Sequence, residues 1–412
     1  MPSRDIEGTS RLGEPAGALV AADHTVVRDL NRSLVLDVLR RHGPISRSGI
    51  ASVAHLAKPT VSAIVEDLIA EGTVAELGPG SAQARVGRPA ILLTLDPLAR
   101  FYVGLHVGVN RTTILIGDAT GAELHRTQRP TRAGNARQHL LALAARIETM
   151  IESQGLDRTR LAAVGVALPG MVDSRLGTCL LAPNLGWRDL SAGPILSQRL
   201  EAPVFVHNTA QVCALAEAVE GAADGAQDLV LLYAGTGIGA GVVSGGRLLR
   251  GAGGVAGEIG HCRATVGDLP CTCGKTGCLE TVASGHWLVS EARRRRLIPE
   301  TGGTTDVISL ARHGNDQAAE LLAGAGQLLG VAASWLINLF DPERLLLGGG
   351  LVDAGDLLIG PLQRSMTANA LPQPMRVAEV VPWSLGHEAK GRGALIAAMR
   401  GAELSYRLTL AR

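Results

Sequence analysis

Three of the chain's six cysteines, Cys271, Cys273 and Cys278, sit within eight residues, and His261 lies ten residues before the first of them. Three thiolates and an imidazole suit a closed tetrahedral Zn²⁺ site, which has no position left for water and is therefore structural rather than hydrolytic. Gly274 and Gly277 let the backbone turn sharply enough to bring Cys273 and Cys278 to one ion. Separate free thiols or a single redox pair are the plainer alternatives. Cysteines this dense in a chain without a secretory signal nevertheless point to metal. Two carboxylates, Glu258 and Glu280, flank the cluster. The ion would hold Glu258, His261 and Glu280 in place around something else.

Glu258-Ile-Gly-His261, followed by Cys271-Thr-Cys273-Gly-Lys-Thr-Gly-Cys278-Leu-Glu280, resembles the signature of the ROK family of repressors, open reading frames and sugar kinases. The resemblance implies that His261, Cys271, Cys273 and Cys278 bind zinc, and that Glu258, His261 and Glu280 contact sugar hydroxyls. It also implies sugar contacts at Asn184, in Pro183-Asn-Leu-Gly-Trp187, and at Asn208, with the turn Leu168-Pro169-Gly170 lining the same cleft. A second role for the two glutamates is to support the zinc ligands from behind.

A kinase of this family needs glycine turns that admit phosphates, an acid near the metal-bound nucleotide, and a carboxylate that takes the proton of the attacking hydroxyl. The turns Gly235–Gly241 and Gly348–Gly350 are intact. The first phosphate loop, Asp-x-Gly-x-Thr-Lys in the family, corresponds here to His106-Val-Gly108-Val-Asn110-Arg111. The family's Asn-Asp pair, which carries the catalytic aspartate, corresponds to Asn208-Thr209. A threonine hydroxyl is not basic near neutral pH and cannot replace the carboxylate. The expectation is a degenerate kinase domain without activity, the alternative being an ATP-dependent sugar kinase with an appended DNA-binding domain. Loss of the carboxylate at Thr209 also alters the sugar site, because in the family that group holds the sugar as well.

The elements that must position these residues can be read in chain order. Residues 1–22 show no sustained period and are read as a flexible tail. Val26, Val27, Leu30, Leu34, Val35, Val38 and Leu39 recur at helical spacing, and Gly43-Pro44 stops that helix. Ser46 caps a second helix from Arg47 to about Ala54, and Pro59 suits the first turn of a third, which buries Val61, Val65, Leu68 and Ile69. Val74–Leu77 and Ala90–Leu95 read as two strands around a Gly/Pro/Ser loop. Three helices and a two-stranded wing make a winged helix-turn-helix over residues 23–96, against the plainer alternative of a helical bundle with a hairpin. The side chains left at the start of the third helix, Lys58, Thr60 and Ser62 beside Pro59, are of a kind that reaches base edges and phosphates. In the loop, Gly87-Arg88-Pro89 is slim enough to place Arg88 in a narrow minor groove. Lys58-Pro-Thr-Val-Ser62 and the Gly-Arg-Pro tripeptide resemble their counterparts in ROK repressors.

From Phe101 strands and helices alternate: Tyr102–Val109 with Thr112–Asp118, a helix over Gln138–Gln154, strands Leu161–Ala167 and Val204–Val206, a helix Ala210–Gly221, a strand Leu229–Tyr233, and a long apolar helix Ala318–Leu339. The order resembles the two-lobed α/β fold of sugar kinases, actin and Hsp70, the ribonuclease H-like architecture, here over residues 97–412. No long internal repeat stands out.

Composition sets the outer bounds. The 412 residues allow two or three domains, and 52 glycines with only 2% aromatics suit α/β layers packed by Ala, Val and Leu. A net charge of +1 carries no global nucleic-acid signal, so DNA binding rests on the N-terminal segment alone. No apolar run reaches the roughly 18–20 residues of a membrane helix, and the N-terminus lacks a signal-peptide pattern. The expectation is a cytoplasmic protein without membrane contact. Cys179, Cys213 and Cys262 are read as buried small apolar residues. Together the readings predict a sugar-responsive regulator, a repressor, acting as a homodimer or homotetramer on a palindromic operator. A regulator that answers to a partner protein is the third possibility.

Overall fold

The computed structural model describes residues 24–79, 90–131, 134–223, 225–264 and 269–409. It divides into two compact units, the first up to Thr94, with Glu403 onward counted with it, and the second Leu95–Ala402.

The first unit runs α1 (His24–His42), β1 (Ile45–Ser46), α2 (Arg47–Val53), α3 (Lys58–Ala70), β2 (Val74–Pro79) and β3 (Ile91–Leu95). Ser46 caps α2 by accepting a 3.1 Å hydrogen bond from the Gly49 N–H. Pro59 sits in the first turn of α3, where its missing N–H has no intrahelical partner to lose. Val61, Ile64, Val65 and Leu68 bury one face of α3, whereas Ile69, expected inside, is only half-buried. On α1, Val35, Leu36, Val38 and Leu39 are buried, but Val27, Leu30 and Leu34 remain 43%, 41% and 38% exposed. Arg28 pairs with Asp67 and Arg32 with Glu71, tying α1 to α3. The sequence reading missed β1, a two-residue strand behind Gly43-Pro44 that pairs with β3 and makes the sheet three-stranded, in the order β1-β3-β2. The tail 1–22 and the loop carrying Arg88 lie outside the described residues.

The second unit opens with β4 (Phe101–Val107), β5 (Arg111–Asp118), β6 (Glu123–Pro130), α4 (Ala136–Ser153), β7 (Leu161–Leu168), β8 (Met171–Asp173), β9 (Thr178–Ala182), β10 (Trp187–Leu190), α5 (Ala192–Leu200), β11 (Val204–Asn208) and α6 (Thr209–Glu220). It continues with β12 (Leu229–Ala234), β13 (Ile238–Ser244), β14 (Arg247–Leu248), α7 (Glu280–Ala283), α8 (Gly285–Arg294), α9 (Thr304–Arg312), α10 (Asp316–Phe340), β15 (Arg344–Gly348), α11 (Asp356–Asn369), α12 (Pro372–Val377), β16 (Glu379–Pro382) and α13 (Ala389–Thr409). Two five-stranded sheets dominate, ordered β6-β5-β4-β7-β11 and β14-β13-β12-β15-β16, with a small third sheet β10-β9-β8. Each large sheet has two antiparallel pairings on the side of its first three strands and two parallel pairings on the other. The same strand order thus occurs twice, a duplication that the sequence does not display as a repeat. It is an α/β fold built on two mixed five-stranded sheets.

Glycines decide how α13 lies on the first sheet. Gly104 and Gly165 are register partners on β4 and β7. A Cβ on Gly165 would fall 1.9 Å from the Ala394 carbonyl oxygen, and one on Gly104 2.6 Å from that of Gly391. The helix therefore rests on bare backbone there. On its α6 side it is equally close, since a Cβ on Gly393 would lie 2.0 Å from the Val212 carbonyl oxygen.

Helix α10 is, among the described residues, long and apolar enough by composition to cross a membrane, contrary to the expectation of no such run. Most of that apolar window, 61%, is buried inside the unit, where Leu322, Ala325, Leu329 and Ala333 are fully covered. Its hydrophobicity is that of a core helix wrapped by α11 and the second sheet.

Candidate functional site

The loop between β14 and α7 folds back on itself through two isolated bridges, Arg263 with Cys278 and Pro270 with Thr276. Gly274, at φ +90°, and Gly277, at +71°, provide the left-handed turns that other residues resist. As a result one donor atom from each of His261, Cys271, Cys273 and Cys278 lies within 4.8 Å of all the others. Cys271 Sγ is 3.6 Å from His261 Nδ1, and Cys273 Sγ is 3.7 Å from Cys278 Sγ. Zinc–sulfur bonds of about 2.3 Å at tetrahedral angles place sulfurs about 3.8 Å apart. The cluster therefore fits that ion in both donor chemistry and spacing. Cys179 and Cys213 are buried as expected, but Cys262 is exposed. Its neighbour His261 turns inward to the cluster, so the adjacent side chain faces out.

A cavity of about 220 Å³ lies beside this cluster. Its walls come from the β4–β5 turn, Pro169–Met171, Leu181–Asn184, the start of α6, the glycine turn after β12, and Lys390 on α13. All five expected sugar residues, Asn184, Asn208, Glu258, His261 and Glu280, line it, as do His106 and Thr209.

Their environments differ. His261 Nε2 points to Glu258 Oε2 at 3.8 Å, so the ring that faces the sulfurs with Nδ1 faces a carboxylate with its other nitrogen. Burial, and then the nearby Glu280 carboxylate, push Glu258 up to about 7. Glu280 Oε2 accepts a 2.9 Å hydrogen bond from the Ile238 N–H, and a Cβ on Gly237 would lie 2.4 Å from that oxygen. Asn208 caps α6: its Oδ1 accepts from the Ala210 N–H at 2.7 Å, and its Nδ2 donates to the Gly170 carbonyl at 2.7 Å. Both amide atoms are engaged by the backbone before any ligand arrives. Asn184 is exposed at the rim.

His106 is 7% exposed, and burial, helped by the charge of Lys390, pushes it down to about 3, so its ring is neutral at physiological pH. Thr209 is 6% exposed, and its Oγ1 has no hydrogen-bond partner among the described residues. The glycines of the second turn have packing reasons of their own. Gly237 admits the Glu280 carboxylate, and Gly241 admits α6, since a Cβ there would lie 2.4 Å from the Ala210 carbonyl oxygen.

The profile of the ROK family matches residues 102–400. This chain belongs to the ROK family. It is 30% identical over 357 residues to a protein named xylose repressor from Caldicellulosiruptor bescii, covering 83% of this chain and 88% of that one. It is also 33% identical over 304 residues to a glucokinase of Halalkalibacterium halodurans, covering 70% of this chain and 92% of the relative. Among solved structures, a ROK family transcriptional regulator described as a homologue of the E. coli MLC protein superposes with a TM-score of 0.79 at 28% identity, covering 93% of this chain and 98% of that one. The two regulators cover 83% and 93% of this chain, whereas the kinase covers 70%.

Sequence reasoning missed Lys390 and Tyr233 in the ROK cavity wall. Lys390 arrives from α13, far along the chain from every other wall residue, within the unremarkable run Ala389-Lys-Gly-Arg-Gly-Ala394. Only its position opposite the start of α6 makes it part of the site. Of the expected DNA contacts, Lys58 and Pro59 are exposed and Thr60 and Ser62 half-exposed at the start of α3.

Proposed function

We propose that this protein is a sugar-responsive, DNA-binding transcriptional repressor whose kinase-derived domain senses its ligand without phosphorylating it. Residues 23–96 act as a winged helix-turn-helix, with α3 entering the major groove so that Lys58, Thr60 and Ser62 meet the DNA and Pro59 fixes the start of the helix. Arg88 would reach the minor groove from the wing. Residues 97–412 form the sensor, whose cavity takes a monosaccharide with Glu258, His261, Glu280 and Asn184 around its hydroxyls. Asn208 contributes through the capped start of α6 more than through a free amide. A structural Zn²⁺ held by His261, Cys271, Cys273 and Cys278 keeps the first three of these in register. The protein works in the cytoplasm as a homodimer or homotetramer on a palindromic operator.

The observation that carries this reading is the pairing, in one chain, of a helix start with exposed Lys58 and Pro59 and half-exposed Thr60 with a ROK cavity in which Thr209 and neutral His106 stand where the kinases have acids. A threonine hydroxyl cannot take a proton from a sugar hydroxyl as a carboxylate does, and a neutral imidazole brings no negative charge to a metal-bound nucleotide. A ligand can shift DNA binding only if it favours one conformation of the sensor over another.

The test is binding of the purified protein to its own upstream DNA at stated salt, with and without a panel of monosaccharides, alongside an ATP-dependent phosphorylation assay on the same panel. Specific binding that one sugar weakens, with no phosphoryl transfer, is the expected result. Phosphorylation of a sugar by the unaltered protein would overturn it in favour of a kinase with an appended DNA-binding domain. DNA binding that responds to no sugar would favour a partner protein as the signal.

A further inference from the structure

Within the second unit the chain crosses between the two large sheets twice. It leaves the first sheet at β11 and enters α6, which lies on the second sheet, where Gly241 meets Ala210. It leaves the second sheet at β16 and returns through residues 383–388 to α13, which lies on the first. The layers are therefore first sheet, α13, α6 and second sheet, with the two helices in contact at Val212 and Gly393. A change in the angle between the sheets has to be taken up at these two crossings.

Glu217, on α6 and 0% exposed, joins one crossing to the other. Its Oε1 accepts a 2.8 Å hydrogen bond from the Leu385 N–H. Its Oε2 accepts from the Ala222 N–H at 2.9 Å, the Ser384 N–H at 3.1 Å and the Ser384 hydroxyl at 3.0 Å. Four donors converging on two oxygens need a group that only accepts, as a carboxylate does. Gly221 makes room for it, since a Cβ there would fall 2.1 Å from Glu217 Oε2. One turn further along α6, Glu220 pairs with Arg392 of α13, which opposes sliding of one helix past the other. Beyond Leu385 the chain is held from the other side: Glu388 pairs with Arg126 of β6, on the first sheet. Between these two holds lies Gly386, at φ +53°, with open space among the described residues where a Cβ would stand. A bend in the return crossing is easiest there.

We propose that Glu217 is a positioning residue of the sensor. It holds Ser384 and Leu385 to α6 as a fixed pivot, and the sheets change their angle over the cavity by a bend at Gly386. This deepens the sugar-sensor reading and rests on it. Thr209 and Ala210 of α6 and Lys390 of α13 are cavity-wall residues, so loosening one helix from the other alters the cavity directly. Glu217 itself is not in that wall. Its effect on the ligand therefore passes through the two helices.

The experiment is amide hydrogen exchange on the full-length, zinc-loaded protein, alone and with whichever of D-xylose, D-ribose, D-glucose and D-galactose binds most tightly by calorimetry. In the unaltered protein the Ala222, Ser384 and Leu385 amides should exchange slowly, at rates that agree within twofold with and without sugar. The cavity-wall turn Gly237–Gly239 should slow at least fivefold on binding. A fivefold change at the three pivot amides would show that the pivot moves, and would overturn the inference while leaving the sugar sensor standing. Glu217→Gln puts an amide NH₂ against N–H donors, so the three amides should exchange at least tenfold faster and the sugar should bind at least fivefold more weakly. Exchange in β4 and β12 and the zinc content should stay as in the unaltered chain, which separates lost positioning from lost folding. Unchanged sugar affinity beside fast pivot amides would reduce Glu217 to a support of its own turn. Ser384→Ala, at an exposed residue, removes one of the four donors, and should weaken the sugar by a smaller factor. Combined with Glu217→Gln it should add nothing, because both act on one contact. Additive losses, or no loss in Ser384→Ala, would also count against the pivot. If none of the four sugars binds, the sensor reading and this inference fall together.

Discussion

Glu280 Oε2 accepts a 2.9 Å hydrogen bond from the backbone N–H of Ile238. Two residues after the last cysteine of the metal cluster, this carboxylate therefore holds the glycine turn between β12 and β13. That bond ties the metal cluster to the part of the cavity wall the turn forms. Removing the acceptor leaves a part-buried N–H unsatisfied, which costs about 1–3 kcal/mol. Glu280→Ala should lower urea stability by that amount and abolish sugar binding. Glu280→Gln, whose amide oxygen still accepts, should stay near wild-type stability yet lose at least tenfold in sugar affinity, because it no longer offers two carboxylate oxygens to hydroxyls. Equal sugar affinity for Glu280→Gln and wild type would mean that the carboxylate only supports the turn.

Metal analysis of the purified protein should return one zinc per chain. Cys278 is 1% exposed and one of the four donors. Cys278→Ser should reduce bound zinc to a small fraction and lower the Tm by several degrees, since binding energy of this kind is folding energy. Chelation under mildly denaturing conditions should do the same to the unaltered chain. Full metal occupancy in Cys278→Ser would remove Cys278 from the ligand set.

Acid should destabilise the fold through buried histidines. His207, 4% exposed and with Nδ1 unpartnered, is pushed by burial, and then by the charge of Arg250, from 6.5 down to about 3. His106 is lowered to about 3 as well, by burial and Lys390. Both are neutral in the fold and protonate near 6.5 when unfolded, so between those values the unfolded chain holds more protons. Stability is then complete above pH 6.5 and falls as the pH drops toward 3. At pH 5.5 each group should remove about 1.4 kcal/mol relative to pH 7.5. Urea midpoints at the two pH values measure the slope, and His207→Phe should flatten it by about half. An unchanged slope would show that His207 is already compensated.

Operator binding should separate positioning from reading. Lys58→Ala at the exposed start of α3 should weaken binding to all DNA sequences alike and reduce the salt slope by about 1. Thr60→Ala should instead relax discrimination at one base pair by about 1–3 kcal/mol. Gel-shift titrations at three salt concentrations on operator and scrambled DNA separate the two effects. Loss of folding in either variant is not expected, because the buried face of α3 is Val61, Ile64, Val65 and Leu68.

The sequence by itself determined the local chemistry: the donor spacing at His261, Cys271, Cys273 and Cys278, the Ser46 cap, the Pro59 helix start, and the periods of β4, β5, α4, β7, β11, α6, β12 and α10. Each of these depends on residues a few positions apart, where covalent geometry leaves little choice. Only the tertiary structure decided the rest. The repeated strand order of the two large sheets is set by pairings between distant strands, and no nearby residue encodes it. The glycines of the turn after β12 read as phosphate binders, but Gly237 admits Glu280 and Gly241 admits α6, which are long-range contacts. Asn208 read as a sugar contact, and the fold adds a second task, since its amide also bonds the Ala210 N–H and the carbonyl of Gly170, 38 residues away. Cys262 read as buried and faces solvent, because the turn that sends His261 inward sends its neighbour out. Lys390 carried no signal at all, because a lone lysine acquires meaning only from what the fold brings beside it, here α6 and the wall of the cavity.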